Sequence, residues 1–551
     1  PVVWKYYQWL TLLFVEIYLD RYFSNREKLL TDLNGYVAKF NQYWKGYFDV
    51  PPYSEDDLNK LCVQSATGSG KTLLMHVNLL QYRYYAKKHG RDKELSRAIL
   101  ITPNERLSEQ HINELQASNI YAGLFLRENL YGIESVDVLE ITKLAEREGP
   151  NTIETRSLGD QNLLLVDEGH RGMSGKDEGA WFSRRSQLCE KGFVFEYSAT
   201  FEQAVSAAQR TDFEESYAKA IIFDYSYRWF YGDGFGKDYS ILNLPESFAE
   251  IKSVYLTACL LMYYQQLRIY EDNKLAFQPF NIEKPLWVFV GNTVSSASGN
   301  KDEKIAATDV AQIIQFVSEV IGDRSSSCRR INEIIMGKGQ DTGLIDKDGN
   351  DIFSGVFSYI AGKMNAGESL EDIYADILGR LFHNASGGEL ILERIPGHSG
   401  EIVLRVGAAE LPFGLISVGD AKGLCEHIEA LAEEISLSLI VQDSEFSHSI
   451  FASVKDSASP VNLLIGAKRF IEGWDCWRVS TMGLMHVGKK EGTQIIQLFG
   501  RGVRLKGYQW SLKRSGYAHP ANRPPYIEEL ETLNVFGIQA DFMERFREFL
   551  K

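Results

Sequence analysis

The chain has 551 residues, 44% hydrophobic and 24% charged, a balance that excludes disordered, collagen-like and disulfide-scaffold classes and predicts three or four packed units. Its 74 acidic and 59 basic side chains leave a net charge of -15, so the average field does not draw the molecule to polyanions and any such site must be local. Six cysteines without a CxxC pair argue against a zinc cluster and fit a cytoplasmic location, and no apolar run is long enough to cross a bilayer, so no membrane partner is expected.

The chain begins at Pro1 and not at methionine, which predicts that the native amino terminus lies upstream. Residues 1–52 read as an aromatic-rich helical segment, with Leu10, Leu13, Phe14, Ile17 and Tyr18 at helical spacing and Pro51 and Pro52 as the break. In residues 53–205, short apolar runs at 98–102, 163–166 and 193–197 alternate with helical segments at 73–87 and 107–117, the α/β signature. Residues 206–281 read as a connecting ribbon and helix with a glycine turn at 232–236. A strand at 286–290 opens a second α/β series, residues 282–323 and 456–551, with further strands at 461–465 and 479–485. Residues 324–455 interrupt it as an insertion whose alternating runs at 389–395 and 401–406 predict a hairpin.

The loop Ala66, Thr67, Gly68, Ser69, Gly70, Lys71, Thr72 falls between a short strand and a helix, the context of a phosphate-cradling loop. Glycines let backbone N–H groups turn toward phosphates, Lys71 would reach the β and γ phosphates, and Thr72 would offer its hydroxyl to Mg²⁺. Ser65 stands where the strict pattern has its first glycine. The strand at 163–166 ends in Asp167, Glu168, Gly169 and His170, which places two carboxylates at the ligand-binding edge of a sheet. Asp167 would hold Mg²⁺ and Glu168 would orient or deprotonate the attacking water; a solvated strand end is the alternative, and His170 alone would be a structural histidine.

Between Lys468 and Arg514, ten basic residues face three acidic ones, either a solvated charged face or a local polyanion site. Within it Gln497, Arg501 and Arg504 share a helical spacing that would let two guanidinium groups reach one γ-phosphate, with a merely basic helix as the alternative. Residues 232–237, ending in Lys237, imitate a phosphate loop but read as a ribbon turn, and residues 346–350 imitate a calcium loop but read as an ordinary turn.

In order, these segments resemble the motifs of superfamily 2 DExH helicases and translocases. Residues 66–72 are similar to motif I, Pro103, Leu107 and Gln110 to motif Ia, 167–170 to motif II, 198–200 to motif III, 289–293 to motif IV, 470–475 to motif V and 497–504 to motif VI. The resemblance implies two tandem RecA-like parallel-sheet domains clamping ATP and Mg²⁺. It implies catalytic roles for Lys71, Asp167, Glu168, His170, Gln497, Arg501 and Arg504, with Gly473 and Asp475 at the nucleotide and Gln8 resembling an adenine-recognition glutamine. Nucleic-acid contacts, mostly to phosphates, would come from Pro103, Gln110, Thr142, Lys143, Asn292, Thr293, Lys468, Arg469 and Arg478. Gly169 stands where the related DEAH form has alanine, a change between two small residues that should be tolerable.

The stretch at 470–481, the glycine turn and the inserted hairpin look like the restriction subunit of Type III restriction-modification enzymes, implying DNA as partner and a methyltransferase or other defence subunit beside it. No nuclease constellation is evident before Lys551. Two other functions fit the same residues: an ATP-gated nucleic-acid-binding switch without sustained translocation, and a P-loop ATPase acting on protein.

Overall fold

In the computed structural model the apolar run ahead of the glycine-rich loop forms a strand, β1 (Lys60–Ser65), and the loop leads directly into a helix, α3 (Lys71–Lys88). The structure describes residues 3–47, 49–125, 132–146, 152–170, 178–208, 210–244, 252–291, 301–336, 344, 351–395, 400–435, 437–444, 448–467, 474–485 and 492–538. The chain divides into two compact units, Pro1–Phe230 and Tyr231–Lys551, and not into three or four.

The first unit is built on a seven-stranded parallel sheet. Besides β1 it contains β2 (Arg97–Thr102), β3 (Ala122–Leu124), β4 (Val136–Glu140), β7 (Asn162–Asp167), β8 (Phe193–Ser198) and β9 (Ile221–Tyr225) in the order β3-β4-β2-β7-β8-β1-β9, while β5 (Leu144–Ala145) and β6 (Ile153–Glu154) form a separate pair. Strands buried on both faces read as continuous Leu, Ile, Val and Phe runs, which is why β2, β7 and β8 were legible. β9, expected as part of a connecting ribbon, pairs with β1 as the edge of this sheet.

The expected helical segment holds two helices, α1 (Tyr6–Ser24) and α2 (Arg26–Tyr43), but the packed face of α1 is not the one its apolar spacing suggests. Leu10, Leu13, Phe14 and Ile17 are exposed, whereas Tyr7, Gln8, Thr11, Val15, Leu19, Tyr22 and Phe23 are buried. Helix α1 packs against α3, with Val15 and Leu19 in the core that contains Leu74, Leu79 and Phe193, while Tyr7 at the start of the same i, i+4 stripe stacks on Tyr225.

The second unit carries a nine-stranded mixed sheet, β10 (Asp238–Leu244), β11 (Leu286–Gly291), β12 (Leu390–Arg394), β13 (Glu401–Val406), β14 (Gly414–Ser417), β15 (Leu439–Asp443), β16 (Leu463–Ala467), β17 (Val479–Met485) and β18 (Thr532–Ile538). Their order is β10-β18-β17-β11-β16-β14-β13-β12-β15. The expected hairpin is present as the antiparallel pair β12–β13, with Leu390 opposite Val406 and Arg394 opposite Ile402. Through β14 it extends the parallel series at β16, so residues 390–443 enlarge the second sheet without forming a third unit. The helix Lys252–Asp272 is apolar over most of its circumference and lies in the core beside Trp287, Phe289 and Ile314, which accounts for an apolar stretch too short to span a membrane. Among the described residues no helix is long and apolar enough to cross one.

Candidate functional site

In the first unit the phosphate-loop geometry follows from two glycines. Gly68 and Gly70 have φ of +83° and +90°, a left-handed conformation that other residues reach only with strain, and they turn the loop back between β1 and α3. The Ser69 N–H donates to the Ala66 carbonyl at 3.1 Å. The first turn of α3 carries no acidic residue, so the positive end of its dipole faces the loop uncompensated from within the helix. Lys71 folds back along the loop, its Nζ donating to the Ser65 carbonyl at 3.2 Å and the Ala66 carbonyl at 3.5 Å, and Thr72 follows half-buried.

Residues of α1 support the loop from behind. Tyr7 Oη donates to the Ser69 carbonyl at 3.1 Å and Gln8 Nε2 donates to the same carbonyl at 2.8 Å, while Gln8 Oε1 accepts from the Lys5 N–H at 2.9 Å. Each end of the Gln8 amide is thus engaged once, so its second N–H and second oxygen lone pair are what an adenine edge would have to use.

β7 is separated from β1 by β8, and because all three run parallel, Asp167 ends its strand on the edge from which the loop emerges. Asp167 Oδ1 accepts from the Glu168 N–H at 3.0 Å, and Oδ2 accepts from His111 Nε2 at 3.1 Å. Burial pushes the Asp167 carboxyl up, but the His111 hydrogen bond, its charge and that of Lys71 outweigh burial and hold it below the usual carboxylate range. Burial pushes His111 down, and the bond to and charge of Asp167 more than reverse this, leaving His111 above the ordinary imidazole value. The Lys71 charge therefore acts on Asp167, which brings the two central expectations of the first unit into one site.

Glu168 turns the chain with φ of +53°, a strained value for a residue with a side chain. Its Oε2 lies 3.4 Å from His170 Nδ1, and that nitrogen lies 2.8 Å from Ser198 Oγ, which itself accepts from the Thr200 N–H at 3.0 Å. The motif II and motif III segments are tied together by this contact. Gly169 shows why the turn lacks alanine: a Cβ there would stand 2.9 Å from Glu196 Oε2 and 3.1 Å from Phe201 Cε1. Beneath it, Glu196 accepts from Tyr217 Oη at 2.7 Å and pairs with Lys60 at 3.3 Å, and Arg185 Nη1 donates to the Gly169 carbonyl at 2.9 Å. Burial raises the Glu196 carboxyl, but the charges of Lys60 and Arg185 outweigh it and keep the acid depressed.

Thr72 and Asp167 offer an oxygen donor set suited to a hard divalent cation. Among the described residues no group of three or more His, Cys, Asp or Glu could hold a metal, so Mg²⁺ here would draw its remaining ligands from phosphate oxygens and water.

Several expected nucleic-acid contacts are engaged otherwise. Pro103 is buried, which corrects its reading as a surface contact. Gln110 donates to Glu114 at 2.8 Å along its own helix, α4 (Glu105–Ala117). Thr142 donates to Glu140, and Lys143 pairs with Glu140 at 3.8 Å.

In the second unit, the helix Gly492–Gly502 carries buried Gln497 and half-buried Arg501, and Arg504 follows it. Arg501 Nη1 donates to the Trp474 carbonyl and Arg504 pairs with Asp475, so the motif V and motif VI residues converge within this unit. Arg478 is corrected: it is 1% exposed and donates to the carbonyls of Lys284 at 3.0 Å, Val461 at 2.8 Å and Asp456 at 3.3 Å, among others. It bolts loops together and presents nothing to a phosphate. The turn at 232–237 is clamped by Arg514, which donates to the Tyr231 and Gly236 carbonyls at 2.9 and 3.2 Å, while Lys237 is buried and donates to the Val479 carbonyl. Gly473, Asn292, Thr293, Lys468, Arg469 and the turn at 346–350 lie outside the described residues.

His111, Arg185, Glu196 and Lys60 escaped the sequence reading. Only His111 left a local trace, as a polar residue on the face of α4 that also carries Leu107 and Leu115.

Residues 27–203 match the family model described as Type III restriction enzyme, res subunit. That span includes the loop, α4, Asp167, Glu168 and Ser198, and it supports a helicase-type ATPase with nucleotide and Mg²⁺ use. No curated protein matches the chain. Among solved structures, the chain is similar to the Hef helicase domain of Pyrococcus furiosus, at 12% identity and a TM-score of 0.33 over 90% of this chain and 95% of that one. It is also similar to Dbp5 of S. cerevisiae bound to RNA and ADP BeF3, at 12% identity and a TM-score of 0.34 over 93% and 96%. Likeness at this level adds nothing to the strand order and site described above.

Proposed function

We propose that this chain is an ATP-dependent DNA translocase or helicase motor, of a Type III-like restriction or related defence system. The observation that carries the reading is the meeting of Lys71 and the Asp167–Glu168 pair at one edge of a parallel sheet, inside the span that matches the restriction-subunit family. Lys71 and the loop N–H groups hold the β and γ phosphates, and Thr72 and Asp167 would hold Mg²⁺, which neutralises charge on the transferred phosphoryl group when bound. Glu168 orients a water and takes its proton as the water oxygen bonds to the γ-phosphorus and the bond to the bridging oxygen breaks, releasing ADP and phosphate. His170 links that turn to Ser198. On this reading Arg501 and Arg504 would be the cations that meet the developing charge, with Gln497 and Gly473 supporting them, and Gln8 would contribute to adenine recognition through its second N–H and lone pair.

DNA contacts fall to Gln110, Thr142, Lys143, Asn292, Thr293, Lys468 and Arg469, largely on phosphates and so without sequence preference. A methyltransferase or other defence subunit is the partner this reading calls for, in the cytoplasm. ATPase rates measured with and without duplex DNA test it. Stimulation by DNA, abolished in Lys71→Ala and reduced by about 10³ in Arg501→Ala with nucleotide binding retained, is the expected result. ATP hydrolysis indifferent to DNA would overturn the nucleic-acid motor, and displacement of a triplex-forming strand separates translocation from switching.

A further inference from the structure

α4 is fixed to the sheet by two polar ties on one face. Ser108 Oγ lies 2.6 Å from Thr102 Oγ1 at the end of β2, and one turn later His111 Nε2 donates to Asp167 Oδ2 at 3.1 Å at the end of β7. β2 and β7 are neighbours in the sheet, so residues at i and i+3 of a single helix reach the ends of two adjacent strands. The His111 ring is 2% exposed, and among the described residues its Nδ1 has no hydrogen-bond partner. A histidine buried so completely loses hydration at both nitrogens, and here the one bond that offsets this loss goes to the carboxylate. The outward side of the same segment carries Gln110, one of the residues read above as a nucleic-acid contact.

We infer that His111 is a positioning residue: it fixes the rotation of the Asp167 carboxylate for the metal and makes α4 the element through which a ligand on the Gln110 side reaches the nucleotide site. The inference rests on the proposed ATPase reading. A group that orients a metal-ligating carboxylate typically alters metal affinity or activity by about 10–100-fold when removed. The geometry also separates two near-isosteres. The amide nitrogen of glutamine overlays Nε2 of the imidazole and keeps a donor aimed at Asp167, whereas that of asparagine overlays Nδ1 and leaves the carboxylate unmet.

The test compares His111→Gln and His111→Asn in the full chain, reading the Mg²⁺ dependence of fluorescent ADP binding and, separately, kcat and KM for ATP with and without duplex DNA. His111→Gln should stay within about threefold of wild type. His111→Asn should require about tenfold more Mg²⁺ for half-maximal tight binding, with kcat reduced more than KM is raised and DNA stimulation lost. Equal Mg²⁺ dependence in the two variants would overturn the positioning role, including the case in which both resemble wild type. If the wild-type chain itself bound ADP without any response to Mg²⁺, the ATPase reading would fail instead, so the two failures are told apart by the unmutated protein.

Discussion

Gln8 Nε2 donates to the Ser69 carbonyl at 2.8 Å, joining the first helix of the chain to the centre of the glycine-rich loop across 61 positions of sequence. The same nitrogen stands 2.7 Å from where a Cβ on Gly70 would lie, so the glutamine both holds the loop and occupies the space that Gly70 leaves open. A loop of backbone N–H groups binds phosphate well only if it is already in shape, because ordering it on binding would subtract from affinity.

Replacing Gln8 with alanine should therefore weaken nucleotide binding and leave hydrolysis of bound nucleotide largely intact. The lost bond is worth about 1 kcal/mol, or about a fivefold rise in the dissociation constant for ATP. Fluorescent-nucleotide titration beside a single-turnover hydrolysis rate checks this, and an unchanged affinity with a reduced rate would assign Gln8 to chemistry.

Arg478 makes the opposite point about a basic residue in a basic stretch. Its guanidinium is spent on carbonyls from Lys284 to Val461, so Arg478→Met should leave several buried acceptors unmet and destabilise the second unit by at least about 3 kcal/mol. The salt dependence of DNA binding, which counts phosphate contacts, should keep its slope in whatever fraction of the variant remains folded. Urea melts and binding isotherms at three salt concentrations decide between a bolt and a DNA contact.

The boundary between what was legible and what was not runs along the range of the interaction. The phosphate loop, the acid pair after β7 and the β12–β13 hairpin are written in adjacent residues, because glycine conformations, strand ends and tight turns are local demands. The packed face of α1 is not local: α3 packs against the helix, Gln8 and Thr11 are buried, and the more apolar residues Leu10 and Leu13 stay outside. His111 needs a partner 56 positions away, and Arg478 one as far as 194. Neither spacing leaves a periodic trace.

Gly169 carries a prediction about the acid turn. A methyl group there would press on Glu196 and Phe201, both buried and fixed, the glutamate by Lys60 and Tyr217. Gly169→Ala should cost about 1–3 kcal/mol by overpacking, so glycine suits this turn and alanine is expected to fit it less well. Thermal unfolding of the variant measures the cost. Because Phe201 contributes one wall of the site, Gly169→Ala combined with Phe201→Leu should recover part of the loss, whereas no recovery would place the strain in the backbone.

His76, on α3 one turn beyond Lys71 and Thr72, makes the first unit sensitive to acid. The side chain is buried, with Nδ1 2.9 Å from Ser118 Oγ, and burial, aided by the charge of His111, lowers its pKa to about 4 from the ordinary 6.5. A histidine held neutral in the fold takes up its proton more readily when unfolded, so its contribution is complete above pH 6.5 and is lost as pH falls toward 4. His111 has the opposite sign: its raised value favours the fold below 6.5 and loses that contribution as pH rises through the folded value. Asparagine at position 76 keeps a polar atom near Ser118 and removes the titration. The urea midpoint of His76→Asn should therefore fall less steeply than that of wild type between pH 6.5 and pH 4.5, with the two curves converging or crossing at the acid end. Parallel curves across that window would mean that His76 does not carry the acid sensitivity of this unit.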